Sequence, residues 1–414
     1  MAWLPLFLFP MRPPGRTMER ARAAAQSRPD SLLRSVGWIL LYLRGRGVLE
    51  NAETITSMCL PDVRPQFAPD AKPINILCID GGGIRGRNLM VMVEELEKAL
   101  GRPLAGEFDL VAGSSIGGCG ALFLQRYGAK ATTMARQAMS QLQERCFAQR
   151  SKARLLSLGH YCQDARREFM LELCGREPLR NPSAPQRGPR AFALSSRMGG
   201  DGSLEPFLFR SYMRAPNSMP GTSRADLSRA VEATSAAPLM FPRTRLRNGQ
   251  HLTDGGLIAN DPTAIALQEA AALWPNRPVG LVLSLGTGEL RGKRGAKEEL
   301  RLAALQAAIG ARGGGARGNG AYVRLQPQLD EGVSMIETEE PKLLRMEEAT
   351  RAYFHQSQTA SELVERLRRQ AALRRPRAVT ARPHYSRWDD AHNRRPLPLR
   401  AGEAQQQGPA LAAA

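Results

Sequence analysis

The chain has 414 residues, enough for one large core with appendages or for two domains. Its 58 Lys and Arg against 39 Asp and Glu give a net charge of +19, which directs attention to nucleic acid or an anionic membrane surface. No run approaches the ~20 apolar residues of a membrane-spanning helix, and six cysteines without C-x-x-C spacing or metal-like clustering with histidine speak against a disulfide framework or a thiolate metal site.

Residues 1–70 read as an N-terminal flanking region and linker. The first 47 hold eight arginines and only Glu19 and Asp30 as acids, a composition that leans toward an organelle transit peptide. "WLPLFLFPM" lacks a preceding basic region and is a poor secretory signal. "GWILLYL" (Gly37 to Leu43) fits a short interfacial helix or a buried helical turn equally well. The prolines of "PDVRPQFAPDAKP" mark the linker.

Regular structure then starts abruptly. "INILCID" (Ile74 to Asp80) suits a strand covered on both faces. After three glycines, Leu89, Val93, Leu96 and Leu100 fall at helical spacing, and Gly101 ends the helix. "FDLVAGSSIGGCGALFLQRYG" repeats strand, tight turn and helix. Cys78 and Cys119 fall in these buried segments as small apolar residues of a reduced compartment. Arg176 to Arg190 is a proline-rich loop. "NDPTAIALQEAAAL" opens a helix with Asp261 as cap and Pro262 in the first position. "PVGLVLSLGTGE" (Pro278 to Glu289) is another buried strand entering a glycine turn. The glycines of Gly310 to Gly320 lack a G-K-[ST] ending and read as flexible chain. A capping-box pattern, Thr359 to Glu362, opens a late helix. Beyond it the tail carries much of the positive charge: Arg366 to Arg400 contains eleven arginines and two aspartates. The expected division is 1–70, a domain over 74–355, and a late helix with basic tail over 356–414. Alternating strands and helices predict an α/β layered fold with a largely parallel sheet, whose ligands sit beyond the carboxyl ends of the strands. All three glycine turns lie there.

Gly81-x-Gly83-x-x-Gly86 after a strand has the form of a dinucleotide fingerprint. That site needs an acid about 20 residues on, at the end of the next strand. The acids nearby, Glu94, Glu95 and Glu97, sit in mid-helix instead, and the next strand runs into "GSSIGG". There Gly113-x-Ser115-x-Gly117 fits a nucleophile elbow, in which small neighbours let a sharp turn lift the serine hydroxyl out of the sheet. The following helix points its positive end at Ser115. A serine needs a base, yet none of His160, His251, His355, His384 and His392 is well placed. "LTDGGLIANDP" offers Asp254, on a backbone turn followed by Gly255 and Gly256.

Together, "DGGGIRG" (Asp80 to Gly86), "GSSIG" (Gly113 to Gly117) and "DGG" (Asp254 to Gly256) resemble, in this order, the motifs of the patatin-like phospholipase family, including its calcium-independent phospholipase A2 members. "ATSAAPLMFP" (Ala233 to Pro242) and "SLGTGE" (Ser284 to Glu289) also look like family segments, so the similarity runs from Ile74 to about Tyr353. The resemblance implies a three-layer fold with helices on both faces of the sheet. It implies a serine lipid acyl hydrolase working through a Ser115–Asp254 dyad. The oxyanion hole would be made by amides of Gly82, Gly83, Ile84 and Arg85, with Arg85 either adding charge or tying the turn. A carboxylate of ordinary pKa, ~3.9, is a poor base for serine in water, so Asp254 must be partly desolvated. The resemblance further implies no metal and no cofactor, and glycerophospholipids or related acyl lipids as substrates. It places the protein in the cytoplasm or peripherally on a membrane, without nucleic acid as partner. Two other readings remain open from sequence: an inactive lipid-binding scaffold, and a basic nucleic-acid-binding protein with structural glycine loops. The latter lacks interleaved aromatics.

Overall fold

Every residue of Ile74–Ile79 is buried, and alternate side chains serve opposite faces: Leu77 and Ile79 join one core, Ile76 and Cys78 the other. This strand is central in a computed structural model that describes residues 49–59, 65, 67–68, 70–147, 163–180, 188–199, 203–216, 218–238, 240–291, 296–313 and 320–373. The targeting readings at the N-terminus, His160, the basic tail with His384 and His392, and parts of the two predicted loops (181–187 and 314–319) lie outside the described residues.

In chain order the first half contains α1 (Ala52–Cys59), β1 (Ile74–Ile79), α2 (Gly86–Leu100), β2 (Leu110–Ser114), α3 (Ile116–Tyr127), α4 (Ala131–Leu142), α5 (Gln163–Cys174), β3 (Arg190–Met198) and β4 (Leu204–Arg210). There follow β5 (Gly221–Thr222), α6 (Leu227–Thr234), β6 (Thr244–Arg245), β7 (His251–Asp254), α7 (Thr263–Leu273), β8 (Val279–Leu285) and β9 (Glu289–Leu290). The last are α8 (Ala296–Ala311), β10 (Ala321–Leu325), β11 (Gln328–Leu329), α9 (Glu340–Gln356) and α10 (Gln358–Leu373).

The main sheet runs β10-β8-β1-β2-β3-β4-β5, and its first five strands are mutually parallel. Helices α2, α3, α5, α6 and α10 pack one face, while α1, α7 and α8 pack the other. The predicted three-layer α/β architecture is therefore what the chain adopts.

The register along β3 positions the site. Strand β4 occupies one edge of β3. On the other edge, β2 pairs as far as Ser114 opposite Leu194, and β7 takes over with Asp254 opposite Ser195. Two strands distant in sequence thus abut end to end, and the residue after β2 is delivered beside the last residue of β7.

Three local expectations differ from the structure. Helix α1 falls in the segment set aside as a flank, yet its Ile55 and Cys59 are buried in the second core. Eight residues are too few to display a helical period. Helix α7 begins at Thr263 rather than Pro262, because the Asp261 carboxylate accepts the Thr263 N–H at 3.0 Å from one position further back. Helix α10 is capped by Ser357, whose hydroxyl accepts the Ala360 N–H at 3.2 Å, so Thr359 lies inside the helix. Among the described residues no helix is long and apolar enough to cross a membrane. Cys59, Cys78, Cys119 and Cys174 are buried free thiols.

Candidate active site

Ser115 has φ 54° and ψ −124°, and among the described residues no other non-glycine residue has a positive φ. Such a conformation costs of order 1–3 kcal/mol and is held by its surroundings. Those surroundings are backbone. A Cβ on Gly113 would lie 2.0 Å from the Gly117 carbonyl oxygen, and one on Gly117 would lie 2.2 Å from that of Ile79. The elbow is therefore wedged against the end of β1, and only glycines fit. Ser115 caps α3, its N–H donates to Thr234 Oγ1 at 3.1 Å, and its hydroxyl donates to Asp254 Oδ2 at 2.7 Å.

Asp254 ends β7 with no exposed surface. Its N–H donates to the Ala236 carbonyl at 3.1 Å, and its own carbonyl accepts the Ser196 hydroxyl at 2.7 Å. The second carboxylate oxygen accepts the Gly256 N–H at 2.7 Å, while Gly255 packs against the Leu194 carbonyl. Burial pushes this carboxyl up to about 6, opposed by the Gly256 and Ser115 hydrogen bonds and the charge of Arg166. The desolvation that sequence reasoning required is present. Arg166 was not foreseen, because its segment has no clear pattern. It is buried, donates to Ser235 Oγ at 2.8 Å, and stacks 4.1 Å from the Phe241 ring centre.

The glycine turn leans on the elbow. A Cβ on Gly81 would approach Ser115 Cβ to 3.1 Å, and one on Gly86 would strike the Ile116 side chain. Of the four predicted oxyanion amides, two are engaged elsewhere. Ile84 N–H donates to the Met335 carbonyl at 2.9 Å, and Arg85 N–H closes a 3-10 turn onto the Gly82 carbonyl at 3.3 Å. Gly82 and Gly83 make no such bond among the described residues, and Gly83 has φ 60° with its α-carbon against the Met335 carbonyl, where any side chain would collide. The Arg85 side chain reaches the Gly288 carbonyl at 3.4 Å and so ties two glycine turns together.

Asp80 at the head of the turn is clamped by Arg324 of β10, with Nη2 to Oδ2 at 2.6 Å and Nη1 to Oδ1 at 3.2 Å. Arg324 also donates to Ser284 Oγ at 2.6 Å and to Asp261 Oδ2 at 3.3 Å, and Arg301 joins the same Asp261 oxygen at 3.0 Å. Asp80 and Asp261 hold the Arg324 charge firmly. From the other side, Thr287 donates to the Gly81 carbonyl at 3.1 Å. Its signal was the "SLGTGE" segment; the signal of Arg324 was a lone arginine in an apolar strand.

An apolar cavity of about 80 Å³ opens beside the elbow, walled by Gly86, Leu89, Ile116, Phe123, Met139 and Phe169 among others. Engineered apolar cavities of ~150 Å³ hold a benzene, so this one takes only a short apolar fragment unless α4 and α5 move apart. Among the described residues the two histidines, His251 and His355, are exposed, and His355 pairs with Glu95 at 3.3 Å, away from Ser115. No cluster of three or more metal-ligating side chains occurs among the described residues.

Residues 77–267 match the patatin-like phospholipase family model. Calcium-independent phospholipase A2-gamma of Oryctolagus cuniculus is 30% identical over 226 residues, spanning 52% of this chain but only 28% of that protein. A cGAMP-activated phospholipase of Pseudomonas aeruginosa is 29% identical over 220 residues, covering 52% of this chain and 62% of its own. The chain thus spans less than two thirds of the length of these relatives. Residues 77–267 of this chain are similar to the patatin-like phospholipase family.

Proposed function

We propose that the protein is a serine lipid acyl hydrolase of phospholipase A type, in which Ser115 is the nucleophile and Asp254 its base. The observation that carries this reading is the 2.7 Å hydrogen bond from Ser115 Oγ to a fully buried Asp254 carboxylate, next to a turn with two unengaged amides. In the first half-reaction Ser115 Oγ attacks the ester carbonyl carbon as its proton passes to Asp254 Oδ2. The carbonyl oxygen takes up the negative charge and accepts hydrogen bonds from the Gly82 and Gly83 amides; one such donor contributes ~10²–10³ in rate. Collapse of the intermediate breaks the bond to the leaving alcohol, which receives the proton from Asp254. Water then attacks the acyl-enzyme, gives its proton to Asp254, and the fatty acid leaves as Ser115 regains a proton.

The substrate class is a glycerophospholipid or related acyl lipid, taken from a membrane surface that the basic chain meets peripherally. The apolar cavity supports this: its wall begins at Ile116 and Gly86, the residues flanking the elbow and the turn, so a short acyl segment entering it, or a longer one once α4 and α5 part, leaves its carbonyl near Ser115. The catalytic domain of this proposal is the predicted 74–355 segment with α1 and α10 packed on it.

The pH profile follows from Asp254. The protonated carboxyl cannot accept the serine proton, so kcat/KM falls about tenfold per pH unit below its pKa of about 6 and is flat above it. A rate that stays constant from pH 7 to pH 4.5 contradicts Asp254 as base. The substrate claim is tested by product analysis on a panel of defined phospholipids, galactolipids and glycerides. Fatty acid release by the parent protein and none by Ser115→Ala is expected. Vesicle binding without release by either marks a lipid-binding scaffold, and polyanion binding that outlasts removal of residues 374–414, with no release, marks a nucleic-acid-binding protein.

A further inference from the structure

A second cavity, of about 340 Å³, lies on the opposite face of the sheet and shares no lining residue with the first. Its size falls in the ~300–1,000 Å³ range of small-molecule pockets. The end of α1, the middle of α7, the connection from β4 to β5 and the residue following α8 build its wall. That last residue is Arg312, only 9% exposed. Its Nε is buried without a hydrogen-bond partner, and among the described residues its guanidinium makes neither an ion pair nor a hydrogen bond.

This sets Arg312 apart from the other buried arginines. Arg166 donates to Ser235 Oγ at 2.8 Å, Arg210 is paired with Glu269 at 2.6 Å, Arg301 with Asp261 at 3.0 Å, and the partly buried Arg324 with Asp80 at 2.6 Å. Among the described residues the one carboxylate on the cavity wall, Glu269, is already engaged by Arg210 and by the Tyr212 hydroxyl at 3.0 Å. Cys59 beside it is a neutral thiol, which burial pushes up to about 12. A guanidinium cannot relieve its burial by losing a proton, so its charge is left without a counter-ion among the described residues. The rest of the wall combines the apolar side chains of Met58, Met219, Leu267, Ala271 and Ala272 with Ser218 and Gln268, whose amide donates to the Met58 carbonyl at 3.0 Å.

We infer that this cavity binds an amphiphilic oxyanion, a carboxylate or phosphate on a short apolar stem, with Arg312 as its counter-charge. A guanidinium meets either group with two parallel N–H···O bonds, and the methionine and leucine side chains receive the stem. The site does not depend on the chemistry at Ser115.

The test uses the full chain carrying Ser115→Ala, with and without Arg312→Met, in equilibrium dialysis against octanoate, octyl phosphate, octanol and inorganic phosphate. Octanoate or octyl phosphate should bind saturably, and Arg312→Met should weaken that binding at least tenfold. The tighter of the two identifies the head group. Octanol and inorganic phosphate, each lacking one half of the ligand, should bind at least tenfold more weakly. Without ligand, Arg312→Met should melt at the same or a higher temperature, since no partner among the described residues is lost. Equal affinity in the two proteins, octanol binding as well as octanoate, or a clear fall in the ligand-free melting temperature overturns the inference.

Discussion

Replacing Asp254 by asparagine is expected to lower kcat by about 10²–10⁴ while leaving the protein at least as stable as the parent at pH 8. The loss is the usual magnitude of general-base catalysis. Asparagine keeps the shape and still accepts the Gly256 N–H, but it cannot take the Ser115 proton. The stability expectation comes from linkage. An aspartate whose carboxyl lies at about 6 in the fold and near 3.8 when unfolded binds its proton more tightly in the folded chain. Its contribution to stability is therefore complete below pH 4 and is lost as the pH rises through 6. The roughly two-unit difference corresponds to about 3 kcal/mol at pH 8, and Asp254→Asn removes that penalty. Urea denaturation at pH 4 and pH 8, beside turnover of one phospholipid, checks both halves. An inactive variant that is also several kcal/mol less stable at pH 8 shows a structural role for the carboxylate instead.

The second large effect is expected at Arg324. Arg324→Met leaves Asp80 as a buried carboxylate without its main counter-charge and weakens the hold on Asp261. Removing one partner of a buried ion pair typically costs about 3–5 kcal/mol. Because Asp80 leads directly into the Gly81–Gly83 turn, the loss also loosens the amides proposed to receive the oxyanion, so kcat should fall more than KM changes. The double variant Asp80→Asn/Arg324→Met removes the orphaned charge and should recover at least half of the lost stability. A single variant within about 1 kcal/mol of the parent would show that the clamp is not a stabilising element.

How far the sequence disclosed this arrangement depended on whether a feature was local. Ile74–Ile79 and Val279–Leu285 are buried on every side, and an unbroken apolar run between turn signals shows that directly. The elbow was legible because its steric requirement, small residues around Ser115, is written within five positions. Asp254 was legible only as a turn aspartate in the right company. What brings it to Ser115 across 139 residues is the end-to-end meeting of β2 and β7 on one edge of β3, and β7 is four residues long. Arg324 reaches Asp80 across 244 residues, and nothing near either one announces the other. The same limit explains the oxyanion turn. Whether the Ile84 amide is available depends on the Met335 carbonyl, supplied by a loop before α9 that has no motif of its own. Arg312 falls within the Gly310 to Gly320 stretch that reads as flexible chain, but α8 continues through Gly310 and Ala311, and the packing of α1, α7 and α8 encloses Arg312.

Covalent capture reads out most directly whether the Ser115 hydroxyl is a nucleophile made reactive by its surroundings. The pure 414-residue chain is treated with a fluorophosphonate, and the modified peptide is located by mass spectrometry. A single stoichiometric adduct on Ser115 is expected, slowed by at least ~10² in Asp254→Asn and unaffected by chelator. Absence of an adduct on the folded protein, an adduct on another residue, or equal labelling rates with and without the Asp254 carboxylate would contradict that role for Ser115.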